Sequence, residues 1–262
     1  MSAYRWEGRT ADEWRQTLNV PDVHLYGTID STNNAALRLA DAGARTLTLV
    51  VADYQTSGRG RMGRSWFAQP GTSLLCSVVF QTAGQARAAP GTAPVRVGSA
   101  VAAAIEELTG ERVLVKWPND VVLPGRGKIA GVLCEGAFRQ QGRASIVAGI
   151  GINVRASDGG FASLADAGLV LDRGELLQAV VRRLAGIADH IVEPLDDREL
   201  SALRRRDLLF GEFVENEEGV SGRACGVTHD GSLLVETSSG VRAVQSATIR
   251  LAETGAYPGS NL

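Results

Sequence analysis

The chain has 262 residues, of which 44% are hydrophobic, and its formal net charge at pH 7 is −2. This length is sufficient for a large buried core, and the near-neutral charge argues against a general nucleic-acid-binding protein, because such domains are usually strongly basic. No apolar run reaches about 18 residues and the N-terminus lacks a signal-peptide pattern, so we expect a cytoplasmic protein that does not contact membranes.

The first part of the chain predicts a helix, a strand and a second helix. Residues 10–18 begin with a capping-box pattern, residues 23–26 are typical of a strand, and residues 34–42 form a helical stretch that ends before a glycine. The polar triplet Ser31-Thr32-Asn33 stands before this second helix. Its hydroxyl groups could simply cap the helix, or the triplet could face a polar ligand there, and both interpretations stay open.

A run rich in glycine and arginine follows the next predicted strand, residues 46–53. In residues 57–66, Ser-Gly-Arg-Gly-Arg-Met-Gly-Arg-Ser-Trp, three arginines alternate with three glycines. Glycine allows close backbone approach, arginine offers a planar fork of donors to carboxylate and phosphate, and successive N–H groups can form an anion nest. We predict a loop that orders around an anionic ligand, although flexible RNA-contacting segments and plain solvated loops share this composition.

The middle of the chain predicts one sheet. Residues 73–80 read as a strand and residues 94–109 as a helix. Four further strand-like segments then lie within about 45 residues, which favours a mixed, mostly antiparallel sheet over a doubly wound one. These segments are residues 112–116, 121–123, 128–135 and 144–154.

Lysine is almost absent from the chain. The 27 basic residues are 25 arginines and two lysines, Lys116 and Lys128, and both lie in the predicted sheet segment. A lysine kept in such a background indicates a place where a compact ammonium with three donors is needed. Lys116 ends a β-branched strand and is followed by a Trp-Pro-Asn-Asp turn, a favoured position for contacts with a polar ligand.

The last third of the chain changes in character. Residues 172–192 and 197–209 predict two helices, and residues 212–252 predict short strands joined by Asp-Gly and Ser-Gly turns. We therefore divide the chain into residues 1–211 and a small C-terminal β domain, residues 212–262. The three cysteines are too far apart for a disulfide framework or a zinc site, and we expect buried small side chains. They are Cys76, Cys134 and Cys225.

Several catalytic signatures are absent from the sequence. It contains no phosphate-binding P-loop, no dinucleotide-binding glycine fingerprint, no nucleophile elbow and no zinc-protease helix motif. The histidines, His24, His190 and His229, form no cluster in the sequence. A site of cations and glycines without acid–base residues suits phosphoryl or nucleotidyl transfer, in which positioning and charge neutralisation supply most of the catalysis.

Five motifs in this order resemble the biotin–protein ligases, in the form without an N-terminal DNA-binding domain. They are Ser31–Asn33, Gly58–Arg64 with Trp66, Lys116–Asp120, Lys128–Glu135 and Gly149–Asn153. The resemblance covers residues 23–154 and, more weakly, the C-terminal β segment. It implies an α+β fold, a mixed, mostly antiparallel sheet flanked by helices, with a class II synthetase-like catalytic domain and a small C-terminal SH3-like β-barrel.

The resemblance also implies a reaction and its site residues. Biotin and ATP would form biotinyl-5′-AMP, with Mg²⁺ on the triphosphate and Asp120 as a candidate metal ligand. The biotin would then pass to a lysine of a carrier domain. The catalytic residues would be Lys116 and Arg61. Biotin would be bound by Ser31, Thr32, Asn33, Gln55, Arg59, Gly60, Arg61 and Lys116. ATP and the adenylate would be bound by Gly58, Arg61, Arg64, Trp66, Asn119, Lys128 and Asn153.

The implied partner is the biotin carboxyl carrier protein or domain of a biotin-dependent carboxylase. We expect no DNA partner, no membrane partner, and a monomer or homodimer. A lipoate– or octanoate–protein ligase of related fold is the nearest alternative, and comparing biotin binding with lipoate binding discriminates the two. A non-catalytic RNA-binding protein that uses the Gly/Arg loop is the second alternative, which steeply salt-dependent RNA binding without ATP turnover would favour.

Overall fold

A seven-stranded sheet forms the centre of the fold in the computed structural model, which describes residues 4–82, 89–138, 144–156 and 160–251. Its strands are β1 (Val23–Ile29), β2 (Leu49–Gln55), β3 (Ser73–Thr82), β4 (Leu114–Lys116), β5 (Asp120–Leu123), β6 (Gly127–Phe138) and β7 (Ala144–Asn153). The spatial order is β1-β2-β3-β7-β6-β5-β4. Only β1 and β2 pair in parallel. The predicted mixed, mostly antiparallel sheet is confirmed.

Five α-helices surround this sheet within the described ranges. They are α1 (Ala11–Leu18), α2 (Thr32–Ala42), α3 (Thr92–Thr109), α4 (Arg173–Ala185) and α5 (Asp197–Arg206). Thr10 caps α1 through the predicted capping box, and Gly43 ends α2 in the left-handed conformation at φ 94°. The local signals therefore predicted both ends of α1 and the end of α2, but α2 begins at Thr32, two residues earlier than predicted, so Thr32 and Asn33 lie in its first turn.

Several element boundaries differ from the sequence prediction, and three of them have a clear local or tertiary cause. The strand expected from residue 46 begins at Leu49, because Leu47 has a positive φ of 67° that interrupts extended backbone. The helix expected to reach residue 192 ends at Ala185, where Gly186 lowers helix propensity and a short 3₁₀ turn follows. The helix expected to reach residue 209 ends at Arg206, because Leu208 donates its N–H to Val115 instead.

The sheet is covered by helices on both faces. On one face, α3 and α4 bury the main core, and alternating residues of the central strands, such as Leu74 and Val78, point into it. On the other face, Ala35, Ala36 and Ala40 of α2 pack against the intervening strand residues. Burying a large aliphatic or aromatic side chain contributes about 1.5–3 kcal/mol, so these two layers account for much of the stability.

The cysteines fall into three environments. Cys76 lies in the main core as predicted, and burial raises the pKa of its thiol to about 12. Cys134 is half-buried, and the prediction is wrong for Cys225, which is exposed. Alternation along its strand explains the difference, because residues 221, 223 and 225 all point outward while residues 222 and 224 point inward.

A second sheet follows the helical region. Its strands are β8 (Phe213–Asn216), β9 (Ser221–Val227), β10 (Leu233–Thr237), β11 (Gly240–Val244) and β12 (Ile249–Leu251). They pair antiparallel in the order β11-β10-β9-β8-β12, consistent with the small barrel expected, and they have their own apolar core. Trp117 joins this core and donates its indole N–H to the carbonyl of Gly231 at 2.9 Å. The turn after β4 is therefore fixed between the two sheets. Among the helices that the structure describes, none has the length and apolar character needed to span a bilayer.

Asp207, at the end of α5, gives a pH-dependent prediction for stability. Burial raises the pKa of its carboxyl from 3.8 to about 6, although the N–H groups of Leu209 and Phe210 oppose the shift, and its Oδ2 atom is buried without a partner. Because the unfolded chain releases this proton more readily, the free energy of unfolding falls as pH rises from about 4 to 6 and stays lower above.

The substitution Asp207→Asn removes this dependence. We expect it to raise the free energy of unfolding at pH 8 by up to about 2–3 kcal/mol, and to change it little at pH 4. Urea titrations of both proteins at the two pH values measure the difference. An equal gain at pH 4 and pH 8 would show that the buried charge is not its cause.

Candidate active site

A cavity lies where the N-terminus of α2, the Gly/Arg loop (residues 57–66), the end of β4 and the inner strands β6 and β7 meet. The segment just before β12 closes one side of it. The structure brings together every predicted site residue except Gly58. The lining includes Ser31, Thr32, Asn33, Gln55, Arg59, Gly60, Arg61, Arg64, Trp66, Lys116, Asn119, Asp120, Lys128 and Asn153. Gly58 instead supports the loop, since a Cβ there would lie 2.5 Å from the Trp66 carbonyl oxygen.

The N-terminus of α2 opens into the cavity. Ser31 stands at the cap position, but its side chain makes no capping hydrogen bond, so the interpretation that it simply caps the helix does not hold. Gln55 Oε1 accepts from the Thr32 N–H at 2.8 Å and from Thr32 Oγ1 at 3.1 Å. This leaves the Ser31 hydroxyl and the Gln55 amide nitrogen as polar groups for a ligand at the positive end of the helix.

Asn33 is held in one orientation by its neighbours. Its Nδ2 atom donates to the Leu133 carbonyl at 3.2 Å and to Glu135 Oε2 at 2.7 Å, while its Oδ1 atom accepts from the Ser77 hydroxyl at 2.6 Å. A Cβ on Gly149 would overlap the Asn33 side chain, which explains why β7 carries a glycine there. Both Asn33 donors are therefore used by the protein, and only its carbonyl oxygen has capacity left for a ligand.

The Gly/Arg loop is folded on itself by backbone hydrogen bonds. The Gly60 N–H donates to the Arg64 carbonyl at 2.7 Å, and a 3₁₀ turn over Arg61–Gly63 places Gly63 at a positive φ of 72°. Arg59 forms a short β-bridge with Ser65. The glycines thus allow a compact turn whose three arginines line the cavity.

The second sheet contacts this loop from the far side of the cavity. Arg61 Nη2 donates to Ser246 Oγ at 2.9 Å, and Arg64 Nη2 donates to Thr248 Oγ1 at 3.2 Å. A second nitrogen of Arg61 donates to Asn119 Oδ1 at 3.2 Å. Ser246 and Thr248 were missed by sequence reasoning, because they lie more than 180 residues from the loop and belong to no recognisable motif.

The cavity is strongly cationic. Five cationic side chains line it, and Asp120 is the one acidic residue among its described lining residues. The lining cations are Arg59, Arg61, Arg64, Lys116 and Lys128. Lys128 Nζ pairs with Asp120 at 2.8 Å, whereas the described residues place no carboxylate within ion-pair distance of Lys116. Burial lowers the pKa of Lys116 and of Arg61, so both groups gain from an anionic ligand.

Trp66 lies flat against the sheet at the mouth of the cavity. A Cβ on Gly151 would stand 2.5 Å from its ring, and a Cβ on Gly131, the register partner of Gly151, would stand 3.0 Å away. The Lys128 ammonium is 5.8 Å from the Trp66 ring centroid and 5.4 Å from that of Phe161, which sequence reasoning missed. The glycines of β6 and β7 therefore form a floor for an exposed aromatic surface.

Replacing Gly151 by alanine tests this floor. The added methyl group has to displace Trp66, so we expect the affinity for ATP to fall by about tenfold through lost ring stacking, with a folded protein. Isothermal titration with ATP measures the change. The matched control is Gly63→Ala in the exposed loop, where a Cβ meets no neighbouring atom within 4 Å but φ is positive. Equal ATP affinity in Gly151→Ala and the unsubstituted protein would contradict the role of Trp66.

Asn153 has its polar groups engaged within the protein. Its Nδ2 atom donates to the Ala162 carbonyl at 3.0 Å, and its Oδ1 atom accepts from Ser73 Oγ at 3.4 Å. It fixes the chain after β7 against the cavity. In the ranges that the structure describes, no three His, Cys, Asp or Glu side chains come together to hold a metal ion.

Comparisons with known proteins identify the family of this chain. A family model described as the biotin/lipoate A/B protein ligase family matches residues 26–153. The bifunctional ligase/repressor BirA of Bacillus subtilis is 31% identical over 86% of this chain and 73% of its own length. The BirA protein of Salmonella typhimurium is 30% identical over 92% of this chain and 78% of its own length.

A solved structure carries the comparison further. The biotin protein ligase from Aquifex aeolicus, in complex with biotin and ATP, superposes with a TM-score of 0.72 and 26% identity over 88% of this chain and 100% of that chain. The matching fold and the family model thus define the class of biotin and lipoate ligases. Within that class, this chain belongs to the biotin protein ligase family. The predicted family is confirmed, and the ligase interpretation is confirmed over the RNA-binding one.

Proposed function

We propose that this chain joins biotin to a lysine of a biotin carboxyl carrier domain in two ATP-dependent steps. The observation that carries the proposal is the cavity charge, five cations against one carboxylate, beside a helix N-terminus whose Ser31 side chain makes no capping hydrogen bond. Such a site suits two anionic substrates that must approach each other. The solved relative bound to biotin and ATP supports the choice of substrates, and curated relatives named as biotin ligases favour biotin over lipoate.

In the first step, an oxygen of the biotin carboxylate attacks the α-phosphorus of ATP. The new P–O bond forms as the bond to pyrophosphate breaks, which gives biotinyl-5′-AMP. Two unit charges at 4 Å repel by about 1 kcal/mol in water and about 4 kcal/mol at an effective dielectric constant of 20. We assign Lys116 and Arg61 to offset this repulsion, because both are buried cations that no carboxylate of the described residues pairs with.

The biotin end is assigned to the N-terminus of α2. The ureido ring has a buried carbonyl and two N–H groups that need partners. We assign the Ser31 hydroxyl, Thr32 and Gln55 to supply them, with Arg59 and Gly60 on the loop side, because all five residues line the cavity. We assign Asn33 chiefly to holding the N-terminus of α2 against β6, since its own donors are already used there.

The nucleotide end is assigned to the other side of the loop. We propose that Trp66 packs on the adenine, since its exposed ring face lies beside the cavity. Arg64, Asn119 and Lys128 would contact the phosphates. Gly58 and Asn153 would act by supporting the loop and the strand end.

The lining residues fit Mg²⁺ as part of the bound nucleotide. Magnesium is usually held by one or two carboxylates plus substrate phosphates, and the cavity offers Asp120 in addition to the triphosphate. When bound there, the ion would neutralise charge on the phosphate oxygens. Asp120 already meets Lys128 at 2.8 Å, so it holds one cation in place before the nucleotide arrives.

In the second step, the amine of the carrier lysine attacks the carbonyl carbon of the mixed anhydride. The new C–N bond forms as the bond to the phosphate oxygen breaks, and AMP leaves. The loop would meanwhile keep water from the anhydride. We further propose that residues 1–211 form the catalytic domain, and that the small domain, residues 212–262, braces the loop through Ser246 and Thr248.

Mass spectrometry of the carrier tests this function. The chain is incubated with biotin, Mg-ATP and a purified biotin carboxyl carrier domain, and the carrier is then weighed. We expect the carrier to gain the mass of one biotin. Its mass should stay the same when lipoate replaces biotin, and when the acceptor lysine of the carrier is replaced by arginine. An unmodified carrier, or modification with lipoate alone, would contradict the proposal.

A further inference from the structure

Glu135, on β6, is a junction between the Gly/Arg loop and the wall of the cavity. Its Oε2 atom accepts from Arg59 Nη2 at 3.0 Å and from Asn33 Nδ2 at 2.7 Å. Glu135 is not among the residues that line the cavity. It therefore touches two lining residues without reaching the space that a ligand would occupy.

The guanidinium of Arg59 is aimed by this contact. Its Nη2 atom donates both to Glu135 and, at 2.8 Å, to Asn34 Oδ1. Within the described residues, its Nε and Nη1 atoms donate to no side chain and remain available toward the cavity. One nitrogen thus anchors the group while the planar fork presents the other two.

The junction continues into the sheet. Asn33, which shares the Glu135 oxygen, also accepts from the Ser77 hydroxyl on β3, and Ser77 is fully buried. The chain of contacts runs from the loop through Glu135 and Asn33 to the core. Because two donors share one carboxylate oxygen, loss of Glu135 leaves Arg59 with Asn34 as its remaining partner and leaves an Asn33 donor without its partner.

We propose that Glu135 is a positioning residue for the biotin end of the site, acting through Arg59 and Asn33. This rests on the proposed function, which places biotin against Arg59 and against the helix N-terminus that Asn33 holds in place. The protein itself supplies the partners that hold the Arg59 side chain, so biotin binding does not have to order it. Without Glu135, the long Arg59 side chain regains rotamer freedom that biotin binding must remove.

The kinetic test compares Glu135→Ala with Glu135→Gln. We expect the alanine variant to raise KM for biotin about tenfold, the effect of losing a hydrogen bond to a charged group, while kcat and KM for ATP stay within about twofold. The glutamine variant keeps an acceptor oxygen and should recover most of the loss. An unchanged KM for biotin, or equal changes in KM for ATP and in kcat, would overturn the proposal.

A matched control separates this role from the general loss of a glutamate. Glu107 on α3 also accepts from two arginine nitrogens, at 2.7 and 2.8 Å, but these arginines belong to α4 and not to the Gly/Arg loop. We expect Glu107→Ala to leave KM for biotin unchanged. A rise in KM for biotin in Glu107→Ala equal to that in Glu135→Ala would count against a specific role.

A second readout needs no enzymatic activity. Trypsin cleaves after arginine, and the tie to Glu135 restrains the loop that carries three of them. We expect faster cleavage in the loop of ligand-free Glu135→Ala than in the unsubstituted protein, with Glu135→Gln between them. Equal cleavage rates would show that the hydrogen bond between Glu135 and Arg59 does not restrain the loop. The two proposals can fail separately. If the unsubstituted chain made no biotinyl-adenylate, the proposed function would fail. Cleavage rates that still differed as expected would nevertheless support the restraint of the loop by Glu135.

Discussion

Replacing Lys116 by alanine is expected to lower the rate of biotinyl-adenylate formation by at least about 10²- to 10³-fold. The side chain ends β4 inside the cavity, and the described residues provide no carboxylate partner for its ammonium. The charge is therefore directed at whatever anion enters. Single-turnover formation of the adenylate, with the carrier domain left out, measures the step. Near-normal adenylate formation in Lys116→Ala would refute the assignment.

The same substitution should leave the protein folded. Burial lowers the pKa of Lys116, which means that the unfolded chain holds this proton more tightly than the folded one. At neutral pH the ammonium therefore costs stability, so Lys116→Met, which keeps the length of the side chain, should match or exceed the thermal stability of the unsubstituted protein. Lys128→Met is the comparison within the cavity, because Lys128 already has Asp120 as its partner at 2.8 Å.

Replacing Arg61 by glycine is expected to release the adenylate from the site about ten- to a hundredfold faster, the loss of a charge-assisted hydrogen bond. Arg61 bridges the loop to Asn119 and to Ser246, so its removal opens the cavity on the side of the second sheet. Free biotinyl-AMP in the solution, measured by filtration of the enzyme, gives the leak directly.

Added backbone freedom is the obvious confounding factor in that variant. Met62→Gly is the matched control, because Met62 neighbours Arg61, is 63% exposed and has a positive φ of 55° that glycine adopts without strain. It should retain the adenylate. A leak in Met62→Gly as large as in Arg61→Gly would mean that loop flexibility alone, and not the lost charge, releases the intermediate.

Local sequence patterns predict much of the fold. The capping box at Thr10, the glycine after α2 and the alternating apolar strands each act within a few residues of themselves, and the elements they predict are present. One of the misplaced ends arises from a contact between distant segments. The predicted final turn of α5 is lost because Leu208 donates to Val115, far earlier in the chain, and no local pattern encodes that pairing.

The site residues also fall into two groups, those that stand in local motifs and those whose roles depend on long-range contacts. The loop arginines, Lys116 and the polar residues of α2 stand in recognisable motifs, so sequence reasoning placed them in one cavity. Glu135 and Ser77 could be assigned no role beforehand, because their importance depends on which neighbour each one touches. The two glycines of β7 gain their meaning in the same way, one from the space that Asn33 needs and the other from the space that Trp66 needs.

Biotin-dependent exchange of labelled pyrophosphate into ATP, without any carrier protein, tests the central claim most directly. If the cationic cavity holds the carboxylate against the α-phosphate, the first step runs in both directions and label enters ATP only when biotin is present. Lys116→Ala should remove that exchange. Exchange that is equally fast without biotin, or that persists undiminished in Lys116→Ala, would contradict the account.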